Sequence, residues 1–204
     1  MLVAKEMSRQ LQIETGCCIL AGGKSLRMGQ DKALLEYEGK KFIERLCEEL
    51  DFFPEKYIAR GNNPDCKVRG WKNIEDLYPG KGPMAGIHAT LLSCQAEAMF
   101  FTTCDMPLLK RNLAELLLSA LEEGIDAVIA VTADERKHPL CGVYRKSTMD
   151  IFEKQLQSGN YRMMDALNKL QVRYLPFSEE DSLQLQNINT REDYLLSILR
   201  GSSI

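Results

Sequence analysis

Short apolar runs alternate with amphipathic stretches along this chain. Cys17-Cys18-Ile19-Leu20 is an unbroken apolar run and predicts a buried strand over 16–20. From Phe42 to Phe53, residues Phe42, Ile43, Leu46, Leu50 and Phe53 recur every three to four positions, which predicts a helix. Tyr57-Ile58-Ala59 reads as a short strand ended by Gly61-Asn62-Asn63-Pro64, and 71–74 as a third strand. Pro83 suits the first turn of a helix over 84–94. Ala98–Thr102 and Asp126–Val131 are strongly apolar strands, separated by a helix over 112–123 that stops near Gly124. A strand over 140–144, helices over 148–157 and 161–170 and a strand over 172–175 follow. Thr190 opens a last helix, with Glu192 and Asp193 in its first turn.

Strands alternating with helices imply βαβ units and a mostly parallel sheet. Continuously apolar strands agree, because such sheets are covered on both faces. The expected class is α/β, a three-layer α/β/α arrangement of Rossmann-like kind. No repeat, linker or low-complexity tract divides the 204 residues, so residues 1–204 read as one domain with a polar lead-in over 1–15. In such a fold, ligands sit beyond the carboxyl ends of the strands.

Composition narrows the function. The chain is 45% hydrophobic and 27% charged with a net charge of −3, which disfavours a nucleic-acid partner. Seven cysteines occur without a C-x-x-C, so neither a disulfide framework nor a zinc site is expected, and buried thiols in a reduced cytoplasm are. The N-terminus has no apolar stretch of signal-peptide length, and no segment has the length to span a membrane.

The richest chemistry follows the first strand, in Leu20–Lys32, LAGGKSLRMGQDK. Glycines let backbone N–H groups approach an anion, and consecutive N–H groups form an anion-binding concavity. Lys24, Arg27 and Lys32 would neutralise what sits there, so a nucleoside triphosphate is the expected ligand. The spacing matches neither the P-loop nor the dinucleotide fingerprint. After the Ala98–Thr102 run, Thr103-Cys104-Asp105-Met106-Pro107 puts one carboxylate at a strand exit. Asp105 is either a Mg²⁺ ligand shared with phosphates or a turn or cap residue before Pro107, and the neighbouring anion loop favours the metal. Asp76, before Pro79-Gly80 and Pro83-Met84-Ala85-Gly86, is either a hydrogen-bond acceptor for a base or ribose or part of a capped loop. His88 reads as a satisfied structural histidine. His138 reads equally as cleft-facing or as part of a solvated loop. Met163 and Met164 read as core, and Asp134–Lys137 as an exposed loop.

Together these blocks resemble the molybdenum cofactor guanylyltransferases, a branch of the Rossmann-like nucleotidyltransferases. The likeness rests on Leu20-Ala21-Gly22-Gly23, Arg27-Met28-Gly29 and Asp31-Lys32. It continues through Tyr78-Pro79-Gly80, Pro83-Met84-Ala85-Gly86, Cys104-Asp105-Met106-Pro107, His138-Pro139 and Asn187-Ile188-Asn189-Thr190, and so spans about residues 16–200. The resemblance implies that Leu20, Ala21 and Gly22 lie against GTP and that Arg27 and Lys32 contact its phosphates. It also implies that Asp76 binds the nucleoside and that Asp105 binds Mg²⁺ and, through it, GTP. Asn187 and Asn189 would lie toward the pterin substrate. Lys81-Gly82 departs from the pattern as an insertion, and Arg60-Gly61-Asn62-Asn63 matches it only ambiguously.

The implied activity is Mg²⁺-dependent transfer of GMP from GTP to the terminal phosphate of molybdopterin or Mo-molybdopterin. Its products are molybdopterin guanine dinucleotide and pyrophosphate. A cytoplasmic monomer or weak oligomer serving other proteins of molybdenum cofactor biosynthesis is expected. The nearest alternatives are a CTP-dependent or sugar-phosphate nucleotidyltransferase and a nucleotide-binding protein without chemistry.

Overall fold

The computed structural model describes residues 13–22, 36–37, 39–61, 67–188 and 193. Its strands are β1 (Thr15–Leu20), β2 (Glu36–Tyr37), β3 (Lys40–Lys41), β4 (Glu55–Ala59), β5 (Lys72–Ile74), β6 (Ala98–Thr103), β7 (Ala127–Val131), β8 (Lys137–Arg145) and β9 (Val172–Pro176). Its α-helices are α1 (Phe42–Glu49), α2 (Pro83–Ser93), α3 (Arg111–Ser119), α4 (Met149–Gln157), α5 (Met163–Leu167) and α6 (Glu179–Ser182). Seven strands form one sheet in the order β5-β4-β1-β6-β8-β7-β9, and β2 pairs with β3 apart from it. β8 runs antiparallel to both of its neighbours, and the other pairings within the large sheet are parallel. The fold is therefore α/β with a mostly parallel sheet.

Side chains alternate across the sheet, and each face feeds its own core. Cys17 and Ile19 of β1 pack with Ile43, Leu46, Leu113 and Leu117 from α1 and α3. Cys18 and Leu20 pack with Met84, Ile87, Phe152 and Leu156 from α2 and α4. Each strand of the middle thus buries both its odd and its even residues, which is why the sequence shows unbroken apolar runs there. Met163 and Met164 are half-buried against the second core, at its border rather than inside it.

Several boundaries differ from the sequence expectation. The first helix stops at Glu49 instead of Phe53. Leu50 and Phe53 remain fully buried, but they sit in a turn in which the Phe53 N–H donates to the Leu50 carbonyl at 3.2 Å. Pro54 disfavours a helical Phe53, so the apolar period outlasts the helix. α3 likewise ends at Ser119, α5 is shorter than 161–170, and Thr15 belongs to β1 rather than to a lead-in.

The largest difference is β8, which begins at Lys137 rather than Leu140. Its pairing with β7 slips at a bulge: Ile129 faces Gly142, and the next residue, Ala130, faces His138. A bulge bends its strand and re-aims side chains. Gly142 is required at this point, because a Cβ there would lie 2.5 Å from the Val128 carbonyl oxygen.

Candidate active site

β1 forms the divide of the sheet, with β4 on one side and β6 on the other. Leu20 lies opposite both Ala59 and Thr103, so three strands end at one level. The Ala21 N–H donates to the Ala59 carbonyl at 2.9 Å, and the Cys104 N–H donates to the Leu20 carbonyl at 3.1 Å. The chain leaves β1 just where its neighbours diverge, which is the ligand crevice of an open α/β sheet.

On the β4 side, two glycines let the loops after β1 and β4 touch. A Cβ on Gly22 would lie 3.3 Å from the Gly61 Cα, and one on Gly61 would lie 3.1 Å from the Gly22 Cα. Asp76, two residues past β5, lies beside this contact. A Cβ on Gly61 would come within 3.9 Å of its Oδ2, and one on Gly86 within 3.7 Å of its Oδ1. Oδ1 is buried and accepts no hydrogen bond. Burial alone raises the Asp76 pKa above the ordinary carboxylate value, with no cation opposing it. The capped-loop reading does not hold: Gly82, at φ 74°, is the N-cap of α2, and no side chain caps that helix. Arg60 flanks the same corner. It pairs with Glu75 at 2.8 Å, while its buried Nε lacks a partner.

The inserted Lys81-Gly82 is accommodated in the loop before α2. The Lys81 N–H donates to the Tyr78 carbonyl at 3.3 Å, Gly80 takes a positive φ of 76°, and the Lys81 ammonium rests 5.0 Å above the Tyr161 ring. Tyr78 in turn stacks edge-on with His88, with ring centroids 5.5 Å apart. His88 is structural as expected, but it is not satisfied, since its buried Nδ1 has no partner.

On the β6 side, Asp105 sits in a turn closed by the Met106 N–H on the Thr103 carbonyl at 3.1 Å. It does not cap α3, whose N-cap is Lys110. The Thr103 hydroxyl donates to Asp105 Oδ1 and orients the carboxylate. The Asp105 carbonyl accepts the Ile188 N–H at 2.7 Å, which brings the distant Asn187-Ile188 segment to the crevice. Asn187, whose Oδ1 is buried and unpartnered, lines a cavity of about 770 Å³ together with His138. His138 is buried within β8, so the solvated-loop reading does not hold. Burial and the nearby Arg136 lower its pKa. Asp134–Arg136 is an exposed loop, as expected, whereas Lys137, also exposed, already belongs to β8.

Of the residues expected in the site, Leu20, Ala21, Gly22, Asp76, Asp105 and Asn187 converge on this end of the sheet. Lys24, Arg27, Lys32, Asn189 and the helix from Thr190 lie outside the described residues, apart from Asp193. Residues 1–12 of the lead-in lie outside them as well.

Comparison with known proteins identifies the family of the chain. Residues 17–172 match the model of the MobA-like NTP transferase domain. The chain belongs to that family. It is 34% identical over 190 residues to a protein of Clostridium perfringens named a probable molybdenum cofactor guanylyltransferase, an alignment covering 89% of this chain and 95% of that one. It is 31% identical over 183 residues to a molybdenum cofactor guanylyltransferase of Desulfosudis oleivorans, covering 86% and 90%. Among solved structures, molybdopterin-guanine dinucleotide biosynthesis protein A of Archaeoglobus fulgidus superposes with a TM-score of 0.80 at 26% identity, over 93% of this chain and all of that one. As a MobA-like transferase, the chain is an enzyme that transfers nucleotidyl groups. Among the described residues, no helix is long and apolar enough to cross a membrane.

The residues present fit a Mg²⁺ ion of the kind that completes its shell with phosphate oxygens. Such an ion needs only one or two protein carboxylates. Asp105 is a carboxylate that could serve as one of these, held in place by the Thr103 hydroxyl. Among the described residues, no three His, Cys, Asp or Glu gather into a self-contained metal site.

Proposed function

We propose that this enzyme transfers GMP from GTP to the terminal phosphate of molybdopterin, with Mg²⁺, forming molybdopterin guanine dinucleotide and pyrophosphate. The observation that carries the reading is the pair of carboxylates flanking the end of β1. Asp76 keeps a buried, unpartnered Oδ1 on one side, and Asp105 is oriented by Thr103 on the other. A carboxylate held without a cation suits the hydroxyl or N–H donors of a nucleoside. A carboxylate at the exit of β6, beside the end of β1, suits a metal ion shared with phosphates. The names of the relatives support guanine and the pterin acceptor.

In this reading an oxygen of the acceptor phosphate attacks the α-phosphorus of GTP. A new P–O–P link forms, the bond to the bridging oxygen between the α- and β-phosphorus breaks, and pyrophosphate leaves with that electron pair. A phosphate monoester has a second pKa of about 6 and is largely dianionic at neutral pH, so no side chain has to act as general base. The difficulty is charge: two unit charges of the same sign at 4 Å repel by roughly 4 kcal/mol at an effective dielectric of 20. Arg27 and Lys32 neutralise the phosphates, Leu20, Ala21 and Gly22 support the nucleotide, and Asp76 fixes the nucleoside. Asn187 and Asn189 face the acceptor. Asp105 would hold the Mg²⁺, which would supply charge neutralisation for the leaving pyrophosphate. Catalysis is then positioning plus electrostatics.

Calorimetric titration with GTP, CTP, ATP and UTP, each with Mg²⁺, tests the nucleotide. Selective GTP binding that weakens in Asp105→Ala is expected. A CTP preference would move the enzyme to a cytidylyl branch, and no binding of any nucleotide would remove the reading.

A further inference from the structure

The cavity joined to Asp105 through Ile188 is lined by His138 and Asn187, and each of these residues carries a buried polar atom that no protein group satisfies, Nε2 and Oδ1. His138 is only 6% exposed. Buried polar atoms in native proteins are nearly always paired, so two such atoms on residues that line one cavity call for a ligand or ordered water. The β8 bulge is what brings His138 there, because it sets His138 opposite Ala130 directly after the Ile129–Gly142 pair.

The walls are built in advance. The β7–β8 turn is closed by the Thr132 N–H on the Arg136 carbonyl at 3.0 Å, and it is tied to α6 by the Ala133 N–H on Ser182 Oγ at 2.9 Å. Glu135 holds a positive φ of 63° at its tip. Asp134 and Glu179 outweigh Arg136 among the described lining residues. A net acidic wall disfavours a phosphate and tolerates an uncharged ring rich in hydrogen-bonding groups. The Ile188–Asp105 hydrogen bond joins this cavity to the loop where the phosphates would meet.

We propose that His138 is a binding residue for the acceptor, its imidazole hydrogen-bonding the uncharged ring while the acceptor's phosphate extends toward Asp105. The imidazole can serve as donor or acceptor according to which nitrogen carries the proton. This inference rests on the guanylyl-transfer reading, because it requires an acceptor with both a ring and a phosphate.

The test compares wild type with His138→Ala and with His138→Gln, which keeps a hydrogen-bonding group. Three quantities are measured: the KM for molybdopterin, the Kd for GTP, and binding of the phosphate-free probe 6-hydroxymethylpterin by calorimetry. The alanine variant should raise the acceptor KM and the probe Kd by about tenfold, the loss of one well-placed hydrogen bond. Its GTP affinity should stay within twofold, and the glutamine variant should recover part of the loss. An unchanged acceptor KM and probe Kd in a folded alanine variant would overturn the inference alone, leaving Nε2 to water. A parallel loss of GTP affinity would overturn it by making the residue a general support of the fold. Wild type that neither turns over molybdopterin nor binds the probe would overturn the guanylyl-transfer reading and this inference with it.

Discussion

Replacing Asp76 with asparagine should have opposite effects on stability and on binding. The Asp76 Oδ1 is buried without a partner, Gly61 and Gly86 bring the backbone close around the carboxylate, and burial is the cause of its raised pKa. An unsatisfied buried polar group costs about 1–3 kcal/mol, and the partial exposure of this residue puts the cost near the lower end. The amide of the variant leaves a polar atom at the same place but carries no charge to desolvate, so the free enzyme should recover only part of that cost, up to about 1 kcal/mol, which is roughly 2–4 °C in Tm for a chain of this size. The sign with pH follows from linkage. The ordinary pKa is 3.8 and the folded value lies above it, so the wild type loses stability as pH rises through the folded pKa. The advantage of Asp76→Asn should therefore be absent below pH 3.8 and open as the carboxylate ionises. GTP binding should move the other way. A hydrogen bond to a charged acceptor is worth about 1.5–3 kcal/mol, so the Kd for GTP should rise roughly 10- to 150-fold. Scanning calorimetry of the free protein and titration with GTP read the two effects separately. A lower Tm with unchanged GTP affinity would refute the argument and make Asp76 a structural carboxylate.

Asp105→Ala should abolish Mg²⁺-dependent turnover and leave the circular dichroism spectrum unchanged, and full activity in that variant would sink the metal assignment. Lys32→Ala should reduce turnover far more than Lys40→Ala, since Lys40 pairs with Glu48 at 2.7 Å on an exposed surface, where such pairs contribute about 0–1 kcal/mol. Equal small effects would make both lysines solvated charges. Gly142→Ala forces a Cβ to 2.5 Å from the Val128 carbonyl oxygen and should cost about 1–3 kcal/mol in urea unfolding, and an unchanged midpoint would contradict the crowding at the bulge. The buried His88 has its pKa lowered from 6.5, so stability should fall as pH drops below 6.5 toward the folded value, and His88→Gln should flatten that fall in a Tm series from pH 8 to 5.

The central strands were legible because burial on both faces writes continuous apolar runs, as in Cys17–Leu20 and Ala98–Thr102. The reversal of β8 was not, because a buried antiparallel strand in the middle of a sheet carries the same apolar pattern as a parallel one. Its bulge was hidden as well, since Pro139 reads as a strand boundary although β8 runs through it. For the same reason the sequence pattern around His138 fits a cleft-facing residue and a loop equally. From the residues alone Asp76 stays open between an acceptor for a base or ribose and a capped loop, and only the structure shows Gly82 taking the capping position and leaving Asp76 Oδ1 unpartnered. The meeting of Asp105 with Asn187 depends on one long-range backbone bond, from Ile188 to Asp105, which no local pattern encodes. The Gly22–Gly61 contact is similar: each glycine is visible as a turn residue, but their mutual approach is not.

The most direct test of the account is turnover itself, with molybdopterin, Mg²⁺ and each of the four nucleoside triphosphates labelled at the α-phosphate. The account predicts label appearing in the pterin product with GTP, with one pyrophosphate released for each nucleotide transferred. Transfer from CTP instead, or nucleotide binding without any pyrophosphate release, would contradict it.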